Sequence, residues 1–476
     1  MTGFAAATAA VEAAITAGAR YADARVVHRR SEAMHARNGV IDDLTSDEDL
    51  GVGVRALVGS PSGFCATPDL DGAGPATAGR TAVTTALASG LVPGPPLDLI
   101  GSTPVVASWA SACLIDPLGV ALSTKGDLLT AATAEANAAG AHLATGSYQI
   151  WDTTTWFVSS EGHRIDQRIR KCGADIAATA VADDQTQRRT YPGGRHATQG
   201  WELVDGLDLR SHATRIAEEA VALLSAPPCP QRHTTLILGG QQLALQIHES
   251  VGHAIELDRI LGWEAAFAGT SWLDPARLGS LRYGSELMNI TIDPTIPGAF
   301  GSFGYDDEGT PAARRYAVRD GIWVGVLAGR DSAAVAGLDY AGSVRSDGWS
   351  RLPMVRMTNV GLEPGPHTLE EIIAATDDGV YMENNRSWSI DDRRLNFQFG
   401  CEIGYEVRGG RLGRMLRNPT YTGIGPVFWQ SMDMLSSETV AWATPNCGKG
   451  QPGQIGHTGH PAAPARFRDV RIGVRG

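Results

Sequence analysis

Two histidines and a glutamate within residues 247–254 (IHESVGHA) are the residue types that bind a metal ion and activate water. His248 and Glu249 are adjacent, and His253 lies five positions after His248. In the common zinc-protease motif HExxH the histidines are four apart, about 40° around a helix, so both face one ion. Five apart on a regular α-helix, they diverge by about 140°, too far to share an ion. The sequence therefore predicts a metal site that requires a local distortion, either a π-bulge or a kink at Gly252.

The segments around this motif indicate an α+β protein. Residues 234–240 (TTLILGG) are typical of a buried strand, and residues 241–261 of a helix that follows it directly. We predict a mixed α/β N-terminal domain (1–190), a connecting helix and linker (191–231), and a β-rich C-terminal domain (232–476). The helix that carries the histidines then belongs to the C-terminal domain.

The N-terminal part shows helical and strand-like segments in turn. Two alternating runs are predicted to form strands joined by a turn at Asn38-Gly39, a favoured pair for tight hairpins. The glycines of residues 51–59 (GVGVRALVG) do not fit GxGxxG, so we assign them to turns or bulges. A helix predicted over residues 207–225 is followed by the proline-rich linker APPCPQRH.

Composition excludes several classes of protein. The formal net charge of −12 and the absence of a basic block argue against a nucleic-acid partner. The six cysteines are scattered without a CxxC pair, which favours reduced thiols and a cytoplasmic location. No apolar run is long enough to cross a bilayer, and the Ala-rich N-terminus lacks the basic and apolar regions of a signal peptide. We therefore expect no membrane partner.

Several motifs in co-linear order resemble the TldD/PmbA metallopeptidase family. The helix combines His248-Glu249, Gly252-His253-Ala254 and Glu256-x-Asp258. Further similarity lies in the following segments: GSFGYDDEGTPAARR (301–315), RMTNVGLEPGPHTLEEII (356–373), NCGKGQPGQ (446–454), YADARVVHRRSEAMHARNG (21–39) and GVGVRALV (51–58). Together these motifs extend over nearly the whole chain.

The resemblance implies a zinc site made by His248, His253 and Cys447, with one Zn²⁺ per chain. It also implies that Glu249 is the general base. The chemistry is consistent, because two imidazoles and a thiolate leave the fourth tetrahedral position of zinc open for water. Zinc lowers the pKa of that water, and a neighbouring carboxylate can take its proton.

Five further residues are candidates for contacts around the site or with substrate. Glu256 and Asp258 either hold the imidazole N–H groups that face away from the metal or are exposed acids. Lys449 either stabilises the thiolate, contacts substrate or is a loop charge. His457 and His460 are candidates for an additional ligand or for binding a substrate carboxylate.

Three hypotheses follow from these residues. In the first, the chain is a zinc-dependent peptidase or amidase that hydrolyses short or unfolded peptides. In the second, Cys447 is the nucleophile of a metal-independent hydrolase. In the third, the chain is a non-catalytic subunit of a TldD/TldE-type complex. The resemblance implies a heterodimer with a TldE/PmbA-like subunit, and a homodimer is also compatible.

Overall fold

The computed structural model describes residues 3–92, 94, 96–183 and 185–473. Its α-helices are α1 (Gly3–Thr16), α2 (Gly74–Ser89), α3 (Leu122–Ala138), α4 (Glu202–Leu207), α5 (Leu209–Ser225), α6 (Gly240–Ile247), α7 (Leu257–Ile260), α8 (Ala265–Ala268), α9 (Arg330–Ala336), α10 (Leu369–Ala374) and α11 (Gly425–Gln430). A π-helical segment covers His248–Gly252, and a 3₁₀ turn covers Pro275–Arg277.

The first seven strands belong to the N-terminal part: β1 (Tyr21–Arg37), β2 (Val40–Leu57), β3 (Ser62–Thr67), β4 (Val106–Ala110), β5 (Leu143–Ser159), β6 (Arg164–Ala182) and β7 (Gln185–Tyr191). The remaining strands are β8 (Arg232–Leu238), β9 (Ile290–Ile292), β10 (Arg315–Arg319), β11 (Ile322–Trp323), β12 (Val344–Arg345), β13 (Met354–Val355), β14 (Val360–Leu362), β15 (Asp378–Ile390), β16 (Asn396–Arg408), β17 (Arg411–Arg417), β18 (Thr420–Ile424), β19 (Met432–Leu435), β20 (Val440–Lys449), β21 (Gln454–Ala462) and β22 (Ala465–Ile472).

The N-terminal strands form one sheet in the order β3-β2-β1-β5-β6-β4, with β7 paired to β6. Alternate residues point to opposite faces of a strand. On β1, Ala24 and Val26 pack in an apolar cluster with α1 and α2, whereas Arg25 and Arg29 line a cavity that also contains residues of the C-terminal part. The sheet therefore has a helix-covered face and a face turned towards the C-terminal part.

The hairpin predicted at Asn38-Gly39 is confirmed. Strands β1 and β2 pair antiparallel on either side of this turn, and both turn residues have positive φ, 46° and 84°. The expectation that the glycines of GVGVRALVG serve turns or bulges is wrong for two of them. Gly51 and Gly53 lie inside β2 without a register shift, and a Cβ at either position would collide with Trp349. Close packing explains these glycines.

The C-terminal part is rich in short strands, as predicted. Its main sheet runs β15-β8-β22-β18-β16-β17, and an additional pairing of β15 with β16 closes five of these strands into a ring. The smaller sheets are β11-β10-β9-β14, β12-β13 and β20-β21. The α+β class, with a mixed N-terminal part and a β-rich C-terminal part, is thus confirmed. The domain boundaries at residues 190/191 and 231/232 stay predictions.

The six cysteines are free thiols. Among the described residues, none of the helices has the length and apolar character that a membrane crossing requires.

Candidate metal centre

The two histidines of the opening motif lie on a distorted helix that begins directly after β8. Helix α6 continues into the π-helical segment, where the N–H of His253 donates to the carbonyl oxygen of His248 (3.1 Å). This i→i+5 hydrogen bond rotates His253 back towards His248, and the ring centroids are 4.8 Å apart. Both side chains are buried. The distortion predicted from the five-residue spacing is confirmed.

Cys447 reaches the same point from a distant part of the chain. It lies on β20 opposite Gly456 of β21, just after an irregularity in the pairing of these strands. Its Sγ is 3.7 Å from His253 Nε2. One ligand atom from each of His248, His253 and Cys447 falls within 4.8 Å of the others. Two rings and a sulfur separated by almost 200 positions therefore converge at one buried point.

Hydrogen bonds made by the Nδ1 atoms fix the ring orientation of His248 and His253. His460 Nδ1–H donates to the carbonyl oxygen of Val360 (2.9 Å), which can only accept. The Nε2 of a neutral His460 is then an acceptor, and it receives the Nδ1–H of His248 (2.8 Å). On the other side, His253 Nδ1–H donates to Glu256 (2.9 Å). Both Nε2 lone pairs are consequently left available to a metal.

Burial and neighbouring charges adjust the protonation of these groups. Burial lowers the pKa of His248 and of His253, so both favour the neutral form that binds metal. Burial would raise the pKa of the Cys447 thiol, but the neighbouring His253 and Arg356 outweigh it and hold this pKa below its ordinary value. Burial and the nearby His248 lower the pKa of His460 strongly, which agrees with its role as a neutral acceptor.

Glu249 lies beside the three ligand candidates on the wall of a cavity of about 400 Å³. Its carboxylate accepts a hydrogen bond from Arg394 Nη1 (3.1 Å). Arg394 has a positive φ of 60°, unusual for a residue other than glycine, in the turn between β15 and β16. The cavity is also lined by Trp388 and by residues 442–448 of β20. A carboxylate, a cation and the three donor atoms thus share one opening.

A buried ion cluster joins the π-helical region to β20. Lys449 Nζ lies 2.7 Å from Glu264, 2.9 Å from Asp258 and 3.3 Å from Glu256. Arg259 contacts Glu256 (3.3 Å) and Glu264 (3.1 Å). All five side chains are buried. Since Glu256 also holds His253, the cluster connects the histidine to the strand that supplies Cys447.

The structure separates the five weaker candidates into different environments. Glu256 contacts the His253 imidazole, whereas Asp258 contacts Lys449. Lys449 is buried and pairs with three acids. His460 contacts His248, but His457 is three positions earlier on β21 and therefore points to the opposite face. The ring of His457 stacks on Phe300 (4.7 Å between centroids) in a separate cavity.

Sequence reasoning missed Arg259, Glu264 and Arg394. Arg259 lies within the recognised helix segment, one residue after Asp258, so its position was a usable signal. Glu264 and Arg394 have no local pattern that distinguishes them from surface charges, because their partners lie in other elements.

Comparison with known proteins places the chain among the metallopeptidases. Three profiles match in order: PmbA/TldA metallopeptidase domain 1 over residues 22–86, the central domain over 115–225 and the C-terminal domain over 231–473. The chain belongs to the PmbA/TldD metallopeptidase family.

Individual relatives agree with this assignment. A metalloprotease of Methanothermobacter thermautotrophicus is 27% identical over 453 residues, which is 95% of each chain. A zinc metalloprotease TldD homolog of Saccharolobus solfataricus is 23% identical over 243 residues, 51% of this chain and 52% of that one.

Solved structures share the fold. One is a candidate modulator of a DNA gyrase from Thermotoga maritima, with a TM-score of 0.76, 16% identity and coverage of 95% of this chain and 96% of that one. Another is TldE from Thermococcus kodakarensis, with a TM-score of 0.73, 15% identity and coverage of 98% and 99%.

Proposed function

We propose that the protein is a zinc-dependent peptidase in which His248, His253 and Cys447 hold one Zn²⁺ and Glu249 is the general base. The observation that carries the proposal is the convergence of three donor atoms within 4.8 Å of one another, beside a carboxylate and an open cavity. The printed name of the Saccharolobus solfataricus relative supports zinc as the metal.

The donor set fits zinc. Tetrahedral bonds of ordinary length place a zinc-bound nitrogen and sulfur about 3.5 Å apart. The 3.7 Å between His253 Nε2 and Cys447 Sγ is close to that value. A combination of two imidazoles and one thiolate favours zinc over hard cations. Three protein ligands beside a cavity are typical of a catalytic site, because the fourth position remains open.

A zinc ion held here would lower the pKa of a bound water towards 7 and polarise the carbonyl of the substrate. Glu249 is not in the ligand set, and its carboxylate faces the same cavity. It would accept a proton from the attacking water and pass it to the leaving amine. Arg394 would hold this carboxylate in position through its hydrogen bond.

The cavity favours an extended peptide as substrate. Within the described part of the chain, β20 forms a ladder only with β21, and residues 442–448 of β20 line the opening. A substrate backbone could pair with this strand edge, which would tolerate varied side chains. Short or unfolded peptides would meet this requirement.

The proposal includes a TldD-like role in a two-subunit assembly. The chain shares its fold with a TldE protein and carries the complete ligand set, so it would be the metal-binding half of a heterodimer located in the cytoplasm. Co-expression with a TldE/PmbA-like chain, followed by light scattering to determine the mass of the complex, tests the heterodimer. Recovery of only homodimers would exclude the heterodimer. Hydrolysis that depends on residues of the partner and not on His248, His253 or Cys447 would favour a non-catalytic role for this chain.

The central experiment measures zinc content and peptide hydrolysis together. We expect about one zinc per chain in the purified protein. Glu249→Ala should keep the zinc and lose most hydrolysis, because the base is not a ligand. Cys447→Ser should lose zinc, since a hydroxyl is a poor ligand for a soft metal. Cys65→Ser, on β3 of the first sheet, is the matched control and should behave as wild type. Full zinc content in Cys447→Ser would contradict the ligand assignment.

The short distance from Cys447 to His253 also favours a second candidate, a metal-independent thiol hydrolase. Exhaustive chelation distinguishes the two mechanisms. Loss of hydrolysis on chelation, with recovery on addition of zinc, supports the metallopeptidase, and activity that survives complete metal removal supports the thiol mechanism.

A further inference from the structure

A second cavity, of about 110 Å³, lies between the C-terminal part and the face of the N-terminal sheet that is turned towards it. The strand β21 separates it from the metal centre, with His457 on this side and His460 on the other. Five cationic side chains and two acidic ones line the cavity: Arg25, Arg29, Lys171, Arg345, Arg356, Asp307 and Asp347. Positive charge therefore exceeds negative charge around this cavity.

Only two of these cations are neutralised by ion pairs. Arg25 contacts Asp307 (2.9 Å), and Arg29 contacts Asp347 (3.1 Å). Arg345 and Arg356 donate to backbone carbonyl oxygens, and neither forms an ion pair with any residue that the structure describes. The Nε–H groups of Arg29, Arg345 and Arg356 also lack a hydrogen-bond acceptor there.

Lys171 is the most unusual member of this set. The residue is only 7% exposed, and in the described ranges its ammonium group has no hydrogen bond and no ion pair. Its Nζ lies over the Phe300 ring, 4.8 Å from the ring centroid. A buried ammonium without a counter-charge is costly. Consistent with this, burial and the neighbouring Arg345 and Arg29 hold the pKa of Lys171 well below its ordinary value.

We propose that this cavity is a binding site for a small oxyanion, a phosphate or carboxylate group, held by Lys171 and Arg345. Oxyanions supply the acceptors that these buried donors lack, and guanidinium and ammonium groups are the donors that proteins use for them. The volume equals that of about four waters, enough for one such group. Lys171 and Arg345 are not among the proposed zinc ligands, although Arg356 of the same cavity donates to the carbonyl oxygen of Cys447.

The experiment is isothermal titration calorimetry of the full chain at constant ionic strength. The probes are inorganic phosphate, N-acetylalanine as a small carboxylate, and N-acetylalanine amide as its uncharged match. We expect saturable binding of one oxyanion per chain and no binding of the amide. Phosphate binding alone identifies a phosphoryl group as the ligand, and N-acetylalanine binding alone identifies a carboxylate such as a peptide end.

Two substitutions locate the binding. Lys171→Met and Arg345→Gln should each weaken it by at least about tenfold, since each removes a charge-assisted hydrogen bond. Lys171→Met removes an unpaired buried charge and should fold, and Arg345→Gln gives a second test. Arg210→Met, which removes an exposed cation from α5, is the control for net charge and should bind as wild type.

Three results would overturn the proposal. These are the absence of saturable binding for both anions, equal binding of the acid and its amide, and unchanged affinity in both cavity variants. Zinc content and hydrolysis are measured on the same samples, so a failure of the zinc assignment is seen separately.

Discussion

Replacing Lys449 by methionine tests whether the buried ion cluster maintains the proposed zinc centre. Three carboxylates lie within 3.3 Å of its ammonium group, and Arg259 is the only other cation in the cluster. Methionine is of similar length but leaves those acids with less compensation. Removing one partner from a buried ion pair costs about 3–5 kcal/mol, a large part of the 5–15 kcal/mol that stabilises most proteins. We therefore expect a large fall in the urea midpoint of unfolding.

The same substitution should weaken zinc binding without removing a ligand. Glu256 would lose a neighbouring cation and hold the His253 ring less firmly, and loss of such support typically lowers metal affinity by about 10–100-fold. Competition with a zinc-sensitive dye measures this affinity, and tryptophan fluorescence in urea measures stability.

A matched control separates this effect from ion pairs in general. Arg468 pairs with Asp433 at the surface, with 47% and 35% of the side chains exposed, so Arg468→Met should cost below about 1 kcal/mol and leave zinc affinity unchanged. Adding Glu264→Gln to Lys449→Met should recover part of the loss, because one stranded charge is removed. If Lys449→Met costs no more than Arg468→Met, the three acids do not depend on the Lys449 ammonium group and the reasoning is refuted.

Three other predictions concern two residues around the site and one in the turn between β5 and β6. Gly252→Ala places a Cβ 2.1 Å from the Met357 sulfur and should destabilise the protein by about 1–3 kcal/mol in urea unfolding. Gly206→Ala, in open space on α4, is the control and should not destabilise it. Equal urea midpoints for the two variants would contradict the tight packing at Gly252. Arg394→Gln should lower kcat about 10–100-fold with zinc retained, and Arg394→Lys should recover part of the lost kcat. An unchanged kcat in Arg394→Gln would show that Arg394 has no role in the reaction. Burial lowers the pKa of His163, whose Nδ1 accepts the N–H of Val105. The contribution of His163 to stability is therefore present above about pH 6.5 and is lost as pH falls. His163→Gln should flatten that part of the profile of urea midpoint against pH, and parallel profiles for the two proteins would contradict this prediction.

The sequence predicted what depends on local geometry. Helix angles alone required a distortion between His248 and His253, and the π-helical segment supplies it. The Asn38-Gly39 hairpin was likewise predictable, because few residue pairs adopt positive φ so readily. The meeting of Cys447 with the histidines came from the family resemblance, since nothing in the intervening residues indicates which strands bring them together.

Contacts between distant elements could not be predicted. The partners of Lys449 depend on how β20 lies against the helix region. The hydrogen bonds from His248 through His460 to Val360 depend on how β21 lies against β14. The separation of His457 from His460 needed only the alternation of a strand, but the boundaries of β21 were not known. The glycines of β2 were misassigned because the Trp349 that packs on them is almost 300 positions away.

The ion cluster around Lys449 also constrains how this enzyme family can diverge. Lys449 lies against three acids, and only Glu256 and Glu264 also contact Arg259, so replacing the lysine alone leaves buried acids without compensation. Relatives that lack the lysine should therefore also lack one or more of the acids at 256, 258 and 264. These positions should covary as a group, and an alignment in which the lysine varies freely while all three acids remain would show that this cluster tolerates stepwise change.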